Sequence, residues 1–476
     1  MSKVSKLIKV IGFIAIAVCI LYYIQKVVSP KFDASQGTRT GYEKEEKNTV
    51  DVLLLGSSNM FHTINPLFLY ENTGIMAFDF GSSSQSLNMS YMYLKEALKT
   101  QSPKVVCLEV LKSSEDFNHN LYEPGLRWGF TYFPNSLNKY QSLYTQLGKI
   151  DADFMSYVFP ILRYKDRWKE LTQNDFEDVY STVWKGCTVS YATTEVNYDE
   201  SYWETTDWEL SESNIHFLDA IKDLCDEKGI ELVLFKSPTP TLWKNEYSQG
   251  ISEYAAANQL PFIDYNVKMD ELNIDVKSDF MDAGHVNING SRKITEDFGE
   301  YLSSHYDLKD HRGGENNSWD KALAEQQRRD QNSAIRNASD IYSLFNGIMD
   351  DNYTVMYSVC GEIGQDQVNV LKDYFRFEEE SIPGGCVRMS GENIVLFPQN
   401  TEYSWHDTLN GRDYASDCSP EENEAGETSY LPAIYFEGKQ YSLISHGIQV
   451  LVYDNQLNEL VSCLGFDADN GYSVVK

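Results

Sequence analysis

Residues 50–59 read Val-Asp-Val-Leu-Leu-Leu-Gly-Ser-Ser-Asn, and this stretch decides the fold. The apolar run from Val50 to Leu55 is short and bounded by Gly56, which is typical of a strand buried in a parallel sheet. A serine just after such a strand lies at the turn into the next helix, where backbone N–H groups can bind an oxyanion. The stretch predicts an α/β fold with Ser58 as a candidate nucleophile, although a simple turn or helix cap explains it equally well when taken alone.

Strand and helix patterns alternate beyond this stretch. The predicted strands are Lys104–Leu111, Ile230–Phe235 and Pro261–Tyr265, and the predicted helices are Gln85–Lys99, Asn214–Glu227 and Asn289–His305. Such alternation predicts a doubly wound, mainly parallel sheet over residues 49–306. The aromatic-rich stretch 112–210 fits this scheme badly, and we interpret it as an insertion that covers the catalytic edge of the sheet.

A second candidate motif, Asp282-Ala-Gly-His285, precedes the last predicted helix of this domain. An aspartate three residues from a histidine can hold the imidazole in the tautomer whose Nε2 accepts a serine proton. Taken alone, His285 also fits a surface loop. The order of a strand-end serine followed by Asp-x-x-His is more specific than either half, and it predicts a catalytic triad of Ser58, His285 and Asp282.

The N-terminus predicts a membrane anchor. Lys3, Lys6 and Lys9 precede the uncharged run Val10–Ile24, and polar residues 31–48 resemble a spacer. Because positive flanks stay in the cytoplasm, we expect residues 1–30 to form a cytoplasmic tip and single transmembrane helix, with the rest outside the cell. A cleaved signal peptide and a buried soluble helix are the alternatives.

The net charge and the spacing of the cysteines limit which partners and metal sites are expected. The 476 residues carry a formal net charge of -31, which excludes nucleic acid and anionic lipid as expected partners. None of the eight cysteines has the spacing of a metal site. The chemistry of the predicted triad also needs no metal and no organic cofactor.

The composition changes after Asp307. Residues 307–337 resemble a linker with a polar helix over Ala322–Asp330, and residues 338–476 predict a second, mostly β domain. Its predicted strands are Tyr353–Val359, Asn393–Pro398, Ala433–Phe436, Tyr441–Ser445 and Gln449–Tyr453, with a hairpin turn at Gly438-Lys439.

The chain resembles the SGNH (GDSL-type) hydrolase superfamily. Gly56-Ser57-Ser58-Asn59 stands where that family has Gly-Asp-Ser-Leu, Asp282-x-x-His285 matches its last block, and Gly81 stands where a glycine N–H serves the oxyanion hole. The resemblance implies a flavodoxin-like domain, with Ser58 and Gly81 as oxyanion donors. The family's Gly-x-Asn-Asp block is absent, so Gln85 is the candidate for the third donor, with helix capping as its alternative role.

Within that superfamily the chain is similar to the membrane-anchored branch of DltD and the alginate O-acetylation proteins. The likeness implies a cell-surface glycan or acylated envelope polymer as substrate, and a membrane-bound O-acyltransferase as acyl donor. We expect Asn59, Lys236 and Trp243 to contact the substrate, although a lone tryptophan is more often a core residue. The predicted activity is a serine esterase or an O-acyltransferase, and a non-catalytic glycan-binding surface protein is the alternative.

The last domain resembles the interleukin-like EMT inducer (ILEI) domain. The segments that carry the likeness are Gly447-Ile-Gln-Val-Leu-Val-Tyr and Gly465-Phe-Asp467, with Gln449 in place of the family's asparagine. The resemblance implies an α+β sandwich and binding of glycans. A packing or spacer role is the alternative.

Overall fold

The computed structural model describes residues 3–30, 34–115, 123–131, 133, 135–148, 153–176, 184–197, 208–314, 318–348, 350–378, 381–422, 426, 428–441 and 443–476. The chain forms two compact units, Met1–Gln326 and Gln327–Lys476.

A five-stranded parallel sheet forms the centre of the first unit. Its strands are β1 (Val52–Leu55), β2 (Ala77–Asp79), β3 (Val105–Glu109), β4 (Glu231–Lys236) and β5 (Phe262–Asp264). They lie in the order β2-β1-β3-β4-β5, and every neighbouring pair is parallel. A separate antiparallel pair, β6 (Phe280–Asp282) and β7 (His285–Val286), follows β5 in the chain. The predicted α/β domain is confirmed at this level. The chain order reverses between β1 and β3, and ligands of such sheets bind at the carboxyl ends of the strands on either side of that reversal.

The first unit also contains α-helices. They are α1 (Lys3–Val28), α2 (Ala34–Lys44), α3 (Ser58–Thr63), α4 (Pro66–Thr73), α5 (Leu87–Ala97), α6 (Glu123–Thr131), α7 (Leu137–Leu147), α8 (Phe154–Val158), α9 (Ile161–Tyr164), α10 (Glu212–Lys228), α11 (Asn245–Ala257) and α12 (Ile288–His305). The three predicted helices appear as α5, α10 and α12. Asn287 caps the N-terminus of α12 by accepting hydrogen bonds from two backbone N–H groups.

Both faces of the sheet are buried, which explains the continuous apolar runs in its strands. Leu53 and Leu55 pack with α5, α10 and α11 on one face, whereas Val52 and Leu54 pack with α3, α4 and α12 on the other. A strand covered on both sides has no polar face and therefore shows no alternation of apolar and polar residues.

Helix α1 is long and apolar enough to cross a membrane over Leu7–Val28, and its side chains there are exposed over most of that length. The segment that follows differs from the predicted spacer. Residues Ala34–Lys44 form α2, and Tyr42 is buried against Phe80 with its ring stacked at 4.2 Å between centroids. Lys185 also pairs with Glu45 at 2.6 Å. The described part of this segment therefore packs on the domain.

The described parts of the predicted insertion 112–210 are mainly helical up to Phe176, whereas residues 184–197 and 208–210 form turns and irregular chain. The insertion contains helices α6 to α9 and three 3₁₀ helices, Leu111–Ser114, Lys165–Lys169 and Gln173–Phe176. Helix α7 packs on α5 at the edge of the domain. Residues 116–122, 149–152, 177–183 and 198–207 lie outside the described residues.

The predicted linker also differs from the structure. Residues Ser318–Arg336 form a 19-residue helix, α13, which is longer than the predicted Ala322–Asp330. Trp319 is buried against Leu67 and Tyr70 in the first unit, and Ile335 is buried in the core of the second. The polar composition of this segment predicted a linker, whereas its Trp319 belongs to the core of the first unit and its Ile335 to the core of the second.

The second unit is mainly antiparallel β-sheet, as predicted. After α14 (Ile341–Gly347) come β8 (Tyr353–Cys360), α15 (Gln365–Phe375), β9 (Gly385–Met389), β10 (Glu392–Phe397), β11 (Tyr403–Leu409), β12 (Arg412–Glu422), β13 (Thr428–Phe436), β14 (Lys439–Tyr441), β15 (Gly447–Asp454), β16 (Glu459–Asp467) and β17 (Ser473–Val475). One sheet has the order β10-β9-β8-β15-β16-β17 and the other β11-β12-β13-β14.

One strand of this unit was predicted too late in the chain. Strand β14 ends at Tyr441, whereas the prediction extended from there to Ser445. The hairpin turns at Glu437-Gly438, where both residues have positive φ, one residue before the predicted position. A two-residue turn with positive φ at both positions matches the twist of paired strands, so the next strand begins at once.

Candidate active site

The candidate nucleophile lies where β1 turns into α3. Ser57 caps this short helix by accepting a hydrogen bond from the Asn59 N–H, and Ser58 is its first residue. The Ser58 side chain is half-buried between buried neighbours. The strand-end position predicted for Ser58 is therefore observed, at the reversal point of the sheet.

The structure brings together the three residues that the sequence analysis proposed as a triad. His285 Nε2 lies 2.8 Å from Ser58 Oγ, and His285 Nδ1 lies 2.9 and 3.0 Å from the two carboxylate oxygens of Asp282. A carboxylate only accepts hydrogen bonds, so Nδ1 carries the proton and Nε2 accepts from the serine hydroxyl. This is the arrangement that a serine nucleophile requires.

A two-stranded hairpin holds the aspartate and the histidine. Its strands are Phe280–Asp282 and His285–Val286, and Asp282 is the direct cross-strand partner of His285. Partial burial acts to raise the pKa of Asp282, but hydrogen bonds from the Gly284 N–H and from His285 outweigh it and lower the pKa below its usual value. Asp282 is therefore ionised at neutral pH and can stabilise a protonated imidazole.

Gly56 allows β1 to approach β3 closely at the nucleophile. A Cβ atom at Gly56 would lie 2.5 Å from the Cβ of Glu109 and 3.1 Å from that of Met60. The first contact is shorter than carbon atoms tolerate and the second is tight, so a side chain would push the two strand ends apart. The glycine is required here for close packing.

We expect Gly56→Ala to lower the free energy of unfolding by about 1–3 kcal/mol, the usual cost of an overpacked core. It should also reduce ester turnover, because Ser58 is displaced with the turn. Urea unfolding and turnover measured on the same preparation check this. Gly148→Ala is the matched control, since its Cβ would meet no atom closer than 3.6 Å. Equal stability of the two variants would contradict the packing role.

The predicted oxyanion residue Gly81 lies against the nucleophile turn. The Ser82 N–H donates to the Gly56 carbonyl at 3.3 Å, and a Cβ at Gly81 would lie 2.7 Å from that oxygen. Burial raises the pKa of the neighbouring Asp79 well above its usual value, and a contact from the Gly81 N–H opposes this rise. The Gly81 N–H therefore lies near both the turn and the carboxyl group of Asp79, and its service to an oxyanion stays a prediction.

The structure does not support Gln85 as the third oxyanion donor. Gln85 is buried, its Oε1 accepts from Ser82 Oγ at 3.0 Å, and its Nε2 donates to Ser90 Oγ at 3.1 Å. Ser86, not Gln85, caps α5. In this structure Gln85 connects the loop after β2 to the first turn of α5, because its amide oxygen accepts from that loop and its amide nitrogen donates to that helix.

Two residues proposed to contact substrate are buried under the site. Lys236 Nζ lies 3.2 Å from Asn59 Oδ1 and 3.7 Å from Glu109 Oε1, and it donates to the Ser237 carbonyl at 2.7 Å. Asn59 Nδ2 donates to the Gly284 carbonyl at 3.0 Å, inside the Asp282–His285 hairpin. Both side chains therefore position the triad, and neither is open to a substrate in this structure.

Trp243, the third proposed substrate contact, is a core residue. Its side chain is fully buried, and its Nε1 donates to Asp264 Oδ2 at 2.9 Å. Stacking on a sugar requires an exposed ring face, which this residue lacks. The apolar surroundings of β4 and α11 explain its burial, and these were not visible from the neighbouring residues in the sequence.

Sequence reasoning missed Glu109 at the end of β3. Glu109 Oε2 accepts from Ser57 Oγ at 3.0 Å and Oε1 accepts from the Leu111 N–H at 2.8 Å. With Lys236 and Asn59, it completes a buried polar network from the nucleophile turn to the hairpin. The available signal was a single acidic residue within the apolar run Val105–Leu111.

His62 is a further neighbour of the triad. Its ring centroid lies 5.0 Å from that of His285, and its Nδ1 donates to the Thr188 carbonyl at 2.9 Å. Burial, followed by the nearby His285, lowers the pKa of His62 to about 4. His62 is therefore neutral at physiological pH, with its Nε2 lone pair able to accept a hydrogen bond.

Burial also lowers the pKa of Lys236 to about 8, although the nearby carboxylates of Glu109 and Asp264 act to raise it. The ammonium still predominates at pH 7. Loss of Glu109 would remove the closest negative charge from a lysine that has no contact with bulk water.

No family model matches this chain, and no curated protein matches it in sequence. The geometry of the site therefore carries the functional argument.

Proposed function

We propose that this protein is a membrane-anchored, extracytoplasmic serine esterase or O-acyltransferase. The single observation that carries the proposal is the hydrogen-bonded row Asp282–His285–Ser58, with distances of 2.9 and 2.8 Å. Its members come from two separate parts of the chain that meet at the reversal point of the sheet, where catalytic sites of such folds form.

The proposed reaction has two acyl-transfer steps. Ser58 Oγ attacks an ester carbonyl while its proton passes to His285 Nε2, and Asp282 stabilises the resulting imidazolium. The imidazolium then protonates the departing alcohol, which leaves an acyl-serine. In the second step His285 takes a proton from water or from a sugar hydroxyl, which attacks the acyl group and releases Ser58.

The fold supports the proposed kinship with SGNH hydrolases. The strand order β2-β1-β3-β4-β5, a serine directly after β1, and an Asp-His hairpin directly before the last helix of the domain are the features we rely on. The N–H groups of Ser58 and Gly81 are the proposed oxyanion donors. A side-chain donor is not assigned.

The proposed location follows from α1 and its flanks. The exposed apolar surface of α1 as far as Ile24 suits a single span, and the three lysines near its start favour a cytoplasmic N-terminus. The catalytic unit would then face outward. There the proposed substrates are acyl esters of a cell-surface glycan or envelope polymer, with a membrane-bound O-acyltransferase as a source of acyl groups.

A second candidate function is glycan binding without catalysis by the second unit. This unit contains a cavity of about 810 Å³, whose rim includes Tyr403, Tyr430, Gln399 and His446. Aromatic rings beside polar side chains are suited to sugars. The candidate does not compete with the triad, because a binding unit and a catalytic unit can act on one polymer.

A serine-directed fluorophosphonate probe tests the proposed function. We expect the full-length protein in neutral detergent to take up one label, which peptide mass spectrometry maps to Ser58. Ser58→Ala and His285→Ala should lose the label, because the first lacks the nucleophile and the second lacks its base. Ser57→Ala is the matched control and should keep it. Equal labelling of Ser58→Ala and the wild type, or no labelling of the wild type, would refute the proposal.

A further inference from the structure

We infer that a pocket at the outer end of α1 binds the phosphate headgroup of an anionic membrane lipid. The inference rests on the membrane placement of α1 proposed above, and it adds a ligand site distinct from the triad. The pocket has a volume of about 430 Å³. It lies between the end of α1, helix α2 and the helical insertion.

The lining of this pocket is positively charged. Lys26 of α1, Arg39 of α2 and Lys139 of α7 all line it, against one carboxylate, Glu43. Arg39 Nε donates to Glu43 Oε1 at 2.9 Å. Among the described residues that line the pocket there are thus three cations and one anion, in a chain whose formal net charge is -31. A local field of the sign opposite to that of the whole chain favours an anionic ligand.

The described hydrogen-bond acceptors of Lys139 in this pocket are neutral. The lysine side chain is buried, and its ammonium donates to the Phe133 carbonyl at 3.0 Å and to Asn135 Oδ1 at 3.2 Å. Burial, together with the positive charge of Arg39, lowers the pKa of Lys139 to about 7. Two neutral acceptors do not compensate a buried ammonium, whereas a phosphate between Lys139 and Arg39 would favour its charged form.

The position of the pocket along α1 matches the headgroup layer. Twenty helical residues from Leu7 to Lys26 rise about 30 Å, which is the thickness of the hydrocarbon core. The next turn, Val27–Ser29, is buried in the protein, and Arg167 Nη1 donates to the Val28 carbonyl at 2.7 Å. When α1 spans a bilayer, the pocket therefore opens at the level of the lipid phosphates.

Exposed apolar side chains near the end of α1 support the same placement. Leu162, Trp168 and Phe176 are 50%, 64% and 55% exposed. They belong to α9 and to the 3₁₀ helices Lys165–Lys169 and Gln173–Phe176, all of which contact α1. Leucine and aromatic residues beside lysines are suited to the boundary between headgroups and acyl chains. This apolar surface would contact the outer leaflet, and the pocket beside it would then open towards the lipid headgroups.

Native mass spectrometry of the full-length protein in neutral detergent tests the inference. Samples are mixed with phosphatidylglycerol, with phosphatidylcholine or with inorganic phosphate. We expect one tightly held phosphatidylglycerol. Retention of phosphatidylcholine should be at least tenfold weaker, because the cations of the pocket repel its positively charged choline group. Inorganic phosphate should bind weakly, because it gains nothing from the neighbouring apolar surface.

Variants localise the site. Lys139→Met and Arg39→Gln should each weaken phosphatidylglycerol retention at least tenfold, and Lys222→Met, which removes a surface lysine of α10, should leave it unchanged. Arg39 is partly exposed, so Arg39→Gln tests the site even where Lys139→Met fails to fold. Equal retention of both lipids, unchanged retention in Arg39→Gln, or displacement of the lipid by equimolar phosphate would each overturn the inference.

Fluorophosphonate labelling of the same samples separates this inference from the proposed function. Lys139 and Arg39 are not part of the triad, so both variants should label at Ser58 like the wild type. A wild type that retains lipid but takes no label refutes the esterase and leaves the lipid site standing. A labelled wild type that retains no lipid refutes the lipid site alone.

Discussion

Replacement of Ser58 by alanine is expected to lower ester turnover by about 10³- to 10⁶-fold, the range found when a triad nucleophile is removed. The hydroxyl that His285 Nε2 contacts at 2.8 Å is then absent, so no acyl-serine forms. Turnover of a chromogenic acetyl ester by the full-length protein in neutral detergent measures the effect. The free energy of unfolding should change little, because the Ser58 side chain is half-buried and its removal leaves no buried charge.

Ser57 provides the control for this experiment, since it is the neighbouring residue and has the same side chain. Its hydroxyl donates to Glu109 and not to the histidine, so Ser57→Ala removes a supporting hydrogen bond. We expect a loss of stability of about 1.5–3 kcal/mol, as for a bond to a charged group, with most turnover retained. Identical rates for the wild type and Ser58→Ala would exclude the proposed nucleophile.

The second large effect concerns stability. We expect Glu109→Leu to lower the free energy of unfolding by about 3–5 kcal/mol, as found when one partner of a buried ion pair is removed. Lys236 then keeps a buried ammonium with no carboxylate at 3.7 Å, and Ser57 loses its acceptor. Urea unfolding of the full-length protein, followed by tryptophan fluorescence, measures the change.

A double variant tests whether the cost arises from the unpaired charge. Glu109→Leu combined with Lys236→Met should recover much of the lost stability, because two apolar side chains replace two buried charges. Glu231→Leu makes the same chemical change at an exposed position at the start of β4, and it should shift stability by no more than about 0.5 kcal/mol. A double variant as unstable as Glu109→Leu would exclude the charge explanation.

The parts of the site that lie close together in sequence were predictable. The strand Val52–Leu55 and Ser58 form one short motif, and Asp282 and His285 form another. The order of the two motifs along the chain, a strand-end serine followed by Asp-x-x-His, was enough to predict that they act together. Strand β2 has only three residues, and a run so short carries no recognisable period, so it was missed.

The parts that depend on contacts between distant residues were not predictable. Lys236 and Trp243 were expected to contact substrate, but burial is decided by what packs over a residue, and here that is Glu109, Asp264 and the apolar core. The same holds for α2. Its polar composition resembled a spacer, and only the packing of Tyr42 against Phe80 shows where it belongs.

The packing of α2 limits the reach of the enzyme that we propose. The end of α1 is buried in the catalytic unit, and α2 packs on that unit directly afterwards. With α1 in a bilayer, the first unit is held at a fixed distance from the membrane. A domain on a flexible tether could instead reach a range of distances. Ester groups within that layer of the envelope would be processed, and those further out would have to be carried inward by the motion of the polymer.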